Sequence, residues 1–412
     1  MTVRIHLPGF FASLAMSASI LVQPAMATES GLKELKADAA DATVNDPVIV
    51  AVSIDQQHLR VFRGLQQVAD SNISSGKPGY DTPRGIFSIL EKKKMHRSNI
   101  YENAPMPFMQ RLTWSGIALH ESGSVPARPA SHGCVRLPRG FSKELFGLTS
   151  RGNHVIITPE GAEPRQIAHM NLFQPVSGRL ALNEFRSTIS DIDQEPGSGI
   201  IARDGKEVSD APLRIYLTRQ TQRDSIRDVQ EMLQILRFYG GALDGLYGRG
   251  SIAAVKRFQE YEGLAKTGTL TGETIERLHA MTGRPLPPAG RIYVRQDHEP
   301  VFDAPVEIRN PEQPLGSHLF VTYRFEESQT QWLAYSVSSE IRPSIAKQDE
   351  IELGDNSRVR TSPEAVLARL VIPPQVRGRI QALLTSGSSF AISDNGIGTE
   401  TGKGTDFIVQ TR

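Results

Sequence analysis

From Asp46 onward apolar and polar positions alternate: Val50, Val52 and Ile54 form one set, Leu59 and Val61 resume it, and Asp55 to His58 interrupt it. A period of two puts every second side chain on one face of a pleated strand, so PVIVAVSIDQQHLRVFRG predicts a β-hairpin with DQQH at its turn. In SSGKPGYDTPRGIFSIL, Gly76, Pro78, Gly79, Pro83 and Gly85 punctuate a loop ahead of a strand from Ile86 to Leu90. GIALHESG adds a short strand ending at His120, and HVIITPE closes the pattern with Val155 to Ile157. Residues 46–159 therefore read as one mostly β domain.

The period changes after Ser225. Ile226, Val229, Leu233 and Leu236 recur at spacings of three and four behind a Ser225-to-Asp228 capping pattern, which predicts an amphipathic helix. YGGALDGLYGRG breaks it; Ser251 restarts a helix with Ile252, Val255 and Phe258 inward, and Thr271 caps a third carrying Ile275 and Leu278. Residues 224–283 thus form a small three-helix bundle. The preceding stretch, 160–223, joins a linker signal, DQEPGSG, to one plausible strand, PLRIYLT, and is assigned as a connecting region. Residues 290–412 return to β character as a C-terminal domain without an assigned role. A weak internal repeat runs through it: VRQDHEPVFDAPVEIRNPEQPLGSHLFVT follows the same order of strand, turn, strand, proline-rich loop and strand as VFRGLQQVADSNISSGKPGYDTPRGIFSI. Turn chemistry alone makes hairpins alike, and the second copy holds no cysteine.

The first 27 residues fit neither pattern. Arg4 and His6 precede a small-residue apolar run from Phe10 to Val22, too short for the ~20 residues a membrane span needs, and Ala25-Met26-Ala27 offers a cleavage site. A signal peptide over 1–27, cut near Ala27, predicts a periplasmic protein. Charge is balanced, with 46 Lys plus Arg against 45 acidic residues, so nucleic acid is not an expected partner. ISDNGIGTETGKGTDFIV resembles nucleotide-binding glycine boxes, but only three residues separate the two glycine clusters, and an exported protein meets no ATP. Two strands joined by a glycine-rich loop account for the same letters.

The chain has one cysteine, Cys134, set in ASHGCVRLP. A free thiol outside the cytoplasm tends to be oxidised unless it is used or protected. A nucleophilic thiol needs a base or a positive setting to lower its pKa and donors for the oxyanion it creates. His120 and His132 are candidate bases, Arg136 supplies charge, and Gly133 lets backbone N–H groups approach a carbonyl oxygen. In an extended segment His132, Cys134 and Arg136 share one face while Ser131, Gly133 and Val135 share the other. Zinc ligation by His120, Glu121, His132 and Cys134 is disfavoured by the absence of paired ligand spacing. His96, His154 and His169 have no such company and read as surface or satisfied core residues, and Arg128 and Arg139 read as a solvated basic face.

His120, ten residues, then Ser131-His132-Gly133-Cys134-Val135-Arg136 resembles the signature of the YkuD-type L,D-transpeptidases, bacterial cell-wall enzymes. TPRGIFSI, from Thr82 to Ile89, is similar to the TPxGxFxI strand of that family, and the likeness runs from about Pro47 to Thr158. The resemblance implies a YkuD-like β-sandwich and a reaction without metal or organic cofactor. Cys134 would attack the third residue of a peptidoglycan tetrapeptide stem, expel the terminal D-alanine and form a thioester that a second amine resolves. His120 would carry the proton, His132 would orient the loop and tune the thiol, and Ser131, Gly133 and Arg136 would contact substrate. The residues alone do not choose between His120 and His132; the resemblance favours His120. The acceptor would be another stem, an outer-membrane protein or water. IRDVQEMLQILRFYGGALDGLYGRGSIAAVKRFQ in turn resembles a small peptidoglycan-binding module, with its DG-aromatic-G turn at Asp244 to Gly248. The alternative is a non-enzymatic anchoring protein with a lapsed catalytic domain, against which an intact His120 and Cys134 speak.

Overall fold

A computed structural model describes residues 46–100, 103–176, 209–286, 288–326, 328–337, 339–340, 358–359, 361–398, 400–402 and 404–411. The expected signal peptide and the DQEPGSG linker lie outside them. Among the described residues no helix is long and apolar enough to cross a membrane.

The opening hairpin forms, with its turn at residues 54–57, so Ile54 falls in the turn and His58 opens the second strand. β1 (Val48–Ser53) and β2 (His58–Arg63) pair antiparallel with Val48 opposite Arg63, and β3 (Gln66–Asn72) returns along β2. β4 (Arg84–Ser88) starts two residues before its expected place. Next, β5 (Glu91–Arg97), β6 (Pro105–Arg111), β7 (Ala118–Glu121) and β8 (Val135–Leu137) build a four-stranded sheet in that order. Helix α1 (Arg139–Leu148) follows, and β9 (His154–Thr158) lies parallel to β1 and antiparallel to β4. Strand β1 is buried along its whole length: Val48, Val50 and Val52 face the core beneath α1, while Ile49 faces the opposite side. Parallel strands covered on both faces read as continuous apolar runs, and VIVAV and VII are such runs.

Residues 160–223, expected to connect, supply β10 (Arg165–Ile167) and β11 (Leu213–Arg219) to a second sheet. Helices α2 (Gln222–Ile235), α3 (Arg249–Tyr261) and α4 (Gly272–Thr282) come next, and the sheet resumes with β12 (Gly290–Gln296), β13 (Glu299–Ile308), β14 (Ser317–Tyr323) and β15 (Gln331–Val337). β16 (Ser339–Glu340) and β17 (Arg358–Val359) pair apart from it. Then α5 (Pro363–Arg369), β18 (Leu370–Val371), α6 (Pro374–Leu383), β19 (Ser389–Ser393) and β20 (Val409–Thr411) complete the chain. Because β11 and β12 are antiparallel neighbours, the helical bundle is an insertion at a hairpin tip rather than a separate unit after a linker. Its first helix begins a turn before the Ser225 pattern: Thr221 and Asp224 make a reciprocal capping box, and Asp224 is where that box needs its acceptor. Thr271 caps α4 as expected, and Val229, Leu233, Val255, Phe258 and Leu278 meet in the bundle core, while Ile226, Ile252 and Ile275, expected on the same faces, are half-buried at its margin.

The internal repeat is carried by topology as well as by letters. The order β4-β9-β1-β2-β3 recurs as β14-β19-β11-β12-β13 with the same strand directions. Both copies shift register between their second and third strands, at Val61/Phe62 and at Val294/Arg295. LPRGFSKELFGLTSRGNHVIIT (137–158) and IPPQVRGRIQALLTSGSSFAIS (372–393) align without a gap, superposing α1 on α6 and β9 on β19. The antiparallel bridge between Ser74 and Arg136 reappears as the pairing of Glu307 with Val371.

The copies are laced together by an exchange of strands. After β9 the chain crosses to place β10 beside β15 in the eight-stranded sheet; after β19 it crosses back to place β20 beside β4 in the six-stranded one. Thus β20, the end of the expected 290–412 domain, belongs to the sheet of the first copy, and the glycine-rich stretch before it is a crossover between sheets rather than a hairpin loop. The two sheets pack back to back through Ile49, Ile86, Ile156 and Val409 on one side and Tyr216, Leu319, Val321 and Tyr335 on the other, with Phe407 of the crossover packed among them. Arg214, buried among them, donates to the carbonyls of Gly152 and Gly387, which are equivalent positions in the two copies, and pairs with Asp406 at 3.3 Å.

Because the exchanged strands tie both units into one core, they should unfold together. Phe407→Ala, which removes a buried ring 5.3 Å from Tyr216, is expected to cost ~3–5 kcal/mol. Chemical denaturation followed separately at Trp114 in the first unit and at Trp332 in the second should give coincident transitions, displaced together by the substitution.

Candidate active site

β7 and β8 run parallel, with Leu119 opposite Val135 and His120 opposite Arg136. Leu119, Val135 and Leu137 point into the core. Their neighbours along each strand must face the other way, which brings His120, Arg136 and, two residues before Arg136, Cys134 to one surface. The burial of ASHGCVRLP alternates accordingly: Ser131, Gly133 and Val135 are buried, Cys134 and Arg136 half-buried, His132 exposed.

A polar scaffold beneath the thiol fixes this loop. Ser131 Oγ donates to the Cys134 carbonyl at 2.5 Å and accepts from the Gly133 N–H at 3.1 Å. Thr82 Oγ1 donates to the Gly133 carbonyl and accepts from the Gly76 N–H, both at 2.8 Å, which ties the proline-rich loop to the motif. The Gly133 N–H, one of the backbone donors around this glycine expected to meet a carbonyl oxygen, is therefore engaged by Ser131. What the position requires of glycine is steric: φ is +110°, and a Cβ would lie 2.9 Å from Ile117 Cδ1. Ser131, expected to contact substrate, is 2% exposed and acts within the loop.

His120 is held by its own neighbour. Its Nδ1 lies 2.7 Å from the Glu121 carbonyl, which can only accept, so Nδ1 carries the proton and Nε2 keeps a lone pair. Burial lowers the imidazole pKa below the ordinary histidine value; the bond to Glu121 opposes that shift, and the Arg136 charge adds to it. Burial likewise raises the Cys134 thiol, against a backbone hydrogen bond at Ala118 and the charges of Arg111 and Arg136. Burial thus favours the neutral form of both groups. The S–H points to the Gly116 carbonyl at 3.5 Å.

The His132 ring is exposed and lies edge-on to Tyr80 with centroids 4.7 Å apart. The site also contains residues that sequence reasoning did not single out. Arg111, bonded to Glu91 at 3.0 Å, lies under the Trp114 ring and acts electrostatically on the thiol. Gly116 and Thr82 belong to turns whose contacts with the motif are set only by folding, although Thr82 opens the TPRGIFSI segment. His154 is buried, but its Nε2 has no hydrogen-bond partner among the described residues, so it is core without being satisfied; burial and the Arg214 charge bring its pKa down to about 3. Among the described residues no three His, Cys, Asp or Glu side chains have the geometry of a metal site.

The second copy shows what happens where the thiol is replaced. Extending the gapless alignment three residues upstream sets Arg369 at the position of Cys134. Its guanidinium donates to the carbonyls of Arg309, Asn310, Gln313 and Pro314, filling its loop with a charged plug. The second unit thus has the frame of the first without its chemistry.

Residues 47–157 match the family model of the YkuD L,D-transpeptidase catalytic domain, and residues 222–278 match that of a putative peptidoglycan binding domain. The chain is similar to an L,D-transpeptidase from Mycobacterium smegmatis at 24% identity, covering 27% of this chain and 59% of that one with a TM-score of 0.26. It is similar to an L,D-transpeptidase (residues 123–326) from Xylanimonas cellulosilytica at 29% identity, covering 27% and 60% with a TM-score of 0.26. An L,D-transpeptidase from Stackebrandtia nassauensis is 24% identical over 31% of this chain and 64% of that one, with a TM-score of 0.26. The chain therefore spans less than two thirds of the length of these structures. No curated protein matches it.

Since burial favours the neutral thiol, alkylation of Cys134 by iodoacetamide should rise with pH through a midpoint above the ~8.5 of a free cysteine. Arg136→Ala should move that midpoint higher still, because the guanidinium favours the thiolate. A reactive plateau extending below pH 7 would instead reveal a thiolate–imidazolium pair.

Proposed function

We propose that this chain, which carries an L,D-transpeptidase catalytic domain and a peptidoglycan binding domain, acts on peptidoglycan stem peptides through a thioester on Cys134. The observation that carries the reading is the shared face of Cys134 and His120, with Nδ1 of the imidazole committed to Glu121 and Nε2 left as the base. As Sγ attacks the carbonyl of the third stem residue, its proton passes to His120 Nε2 and a C–S bond forms. Collapse of the tetrahedral intermediate breaks the C–N bond to the terminal D-alanine, and the imidazolium returns the proton to the departing amine. An incoming amine then attacks the thioester, gives a proton to His120 and releases the thiol. With the Gly133 N–H engaged by Ser131, the oxyanion falls to the Cys134 N–H and its surroundings.

Arg136, beside the pair on the same face, suits the carboxylate of a stem. An amine from a second stem produces a crosslink, and one from an outer-membrane protein would attach that protein to the wall. Export to the periplasm by residues 1–27 brings the enzyme to its polymer. The helical module raises the local concentration of stems by tethering the catalytic unit to the glycan it modifies.

In purified protein His120→Asn should lower the rate of thioester formation ~10²–10⁴-fold, the usual worth of a positioned general base. Muropeptide profiles from a deletion strain carrying Cys134→Ala should lack the crosslinks or attached proteins that the wild-type copy restores. Identical profiles would sink the enzymatic reading and leave a peptidoglycan-anchoring protein.

A further inference from the structure

We propose that Glu400, on the crossover between the two sheets, is a positioning residue for the Cys134 thiol, acting through the turn that follows β6. The proposal rests on Cys134 being the nucleophile.

Glu400 is remote in sequence from the motif but reaches its turn directly. Glu400 Oε2 accepts the Trp114 N–H at 2.8 Å and Oε1 accepts the Ser115 N–H at 3.2 Å. Two consecutive backbone donors converging on the two oxygens of one carboxylate form a charge-assisted clamp with a defined orientation. The clamped turn is stitched internally as well. Thr113 Oγ1 accepts from the Ile117 N–H at 3.0 Å and from Ser115 Oγ at 2.9 Å, and the Gly116 N–H returns to the Thr113 carbonyl. Gly116 has φ of +113°, a conformation that leaves its carbonyl free to meet the Cys134 S–H. The next residue, Ile117, is the wall against which Gly133 is fitted. One turn therefore sets both the acceptor that aims the thiol and the surface that shapes its loop, and Glu400 holds that turn from outside.

The crossover that carries Glu400 is itself anchored. Arg295 on β12 donates to the Gly402 carbonyl at 2.7 Å, Arg151 donates to the Gly404 carbonyl at 3.2 Å, and Thr405 Oγ1 bonds both sides of the Gly402 peptide. Asp406, three residues before β20, is paired with Arg214 and His298. The second unit thus reaches the chemistry of the first through this strap, and a first unit without it would lack the clamp.

The test uses the full chain with Glu400→Ala and Glu400→Gln. Glutamine keeps the size of the side chain but sets an NH2 donor against one of the two N–H groups, so packing tolerates it and a two-oxygen clamp does not. Thioester formation on a tetrapeptide stem is expected to slow on the order of tenfold in both variants at unchanged half-saturating stem concentration, within the ~10²-fold that a 1 Å misplacement can cost. The pH midpoint for iodoacetamide alkylation of Cys134 should fall, since a slackened turn withdraws the carbonyl that stabilises the neutral thiol. Wild-type behaviour of Glu400→Gln in both measurements would overturn the proposal. So would a collapse of the melting temperature, which would make the carboxylate a support of the fold rather than of the turn. A wild-type chain that forms no thioester would remove the transpeptidase reading alone; the alkylation midpoint of the variants would then decide, a fall supporting the clamp and no change overturning it.

Discussion

The structure depends on one core: the back-to-back packing of two sheets that have each given a strand to the other. Alone, either sheet would leave an apolar face in water, since β1 is apolar on both sides and β11 is buried along its whole length. Burying those faces against each other stabilises both units at once, and the exchange of β10 and β20 makes the contact part of the sheets themselves. Arg214 crosses the same boundary and satisfies equivalent carbonyls in both copies, so even the polar content of the interface respects the duplication.

From this core the two copies diverge in chemistry. In the first, the residue before β8 is a thiol above a loop cross-braced by Ser131 and Thr82. In the second, the equivalent position is an arginine tied to four carbonyls. One frame thus carries a thiol and the other an arginine plug at the same position. The filled copy is not idle in the architecture: it accommodates the helical insertion between β11 and β12, and it sends the crossover that reaches the thiol's turn.

The helical module is joined to its host by charge as well as by chain. Arg291, buried on β12, pairs with Asp228 of α2 at 3.0 Å and also with Asp303 of β13. Tyr293 donates to Asp224 at 2.6 Å, and that carboxylate already serves the capping box of α2. These contacts tie the module to β12, the strand whose Arg295 holds the Gly402 carbonyl.

The sequence by itself determined what depends on local periodicity and composition. These include the β1–β2 hairpin, the three helices with their inward faces, the strand of PLRIYLT and the candidacy of Cys134 with His120. Such features follow from alternation, capping and residue chemistry within short windows. It fixed neither the partners of those elements nor the use of the motif's polar groups. PLRIYLT looks the same whether it is a linker strand or the centre of a sheet, and β20 looks like the end of its own domain until β4 is beside it. The residues alone left His120 and His132 open as bases; the carbonyl that holds His120 Nδ1 and the parallel pairing of β7 with β8 became visible only in the fold, while Glu400 had no signal at all. Long-range pairing decides such matters, because hydrogen-bonding direction and burial on a second face are set by chain segments far removed in sequence.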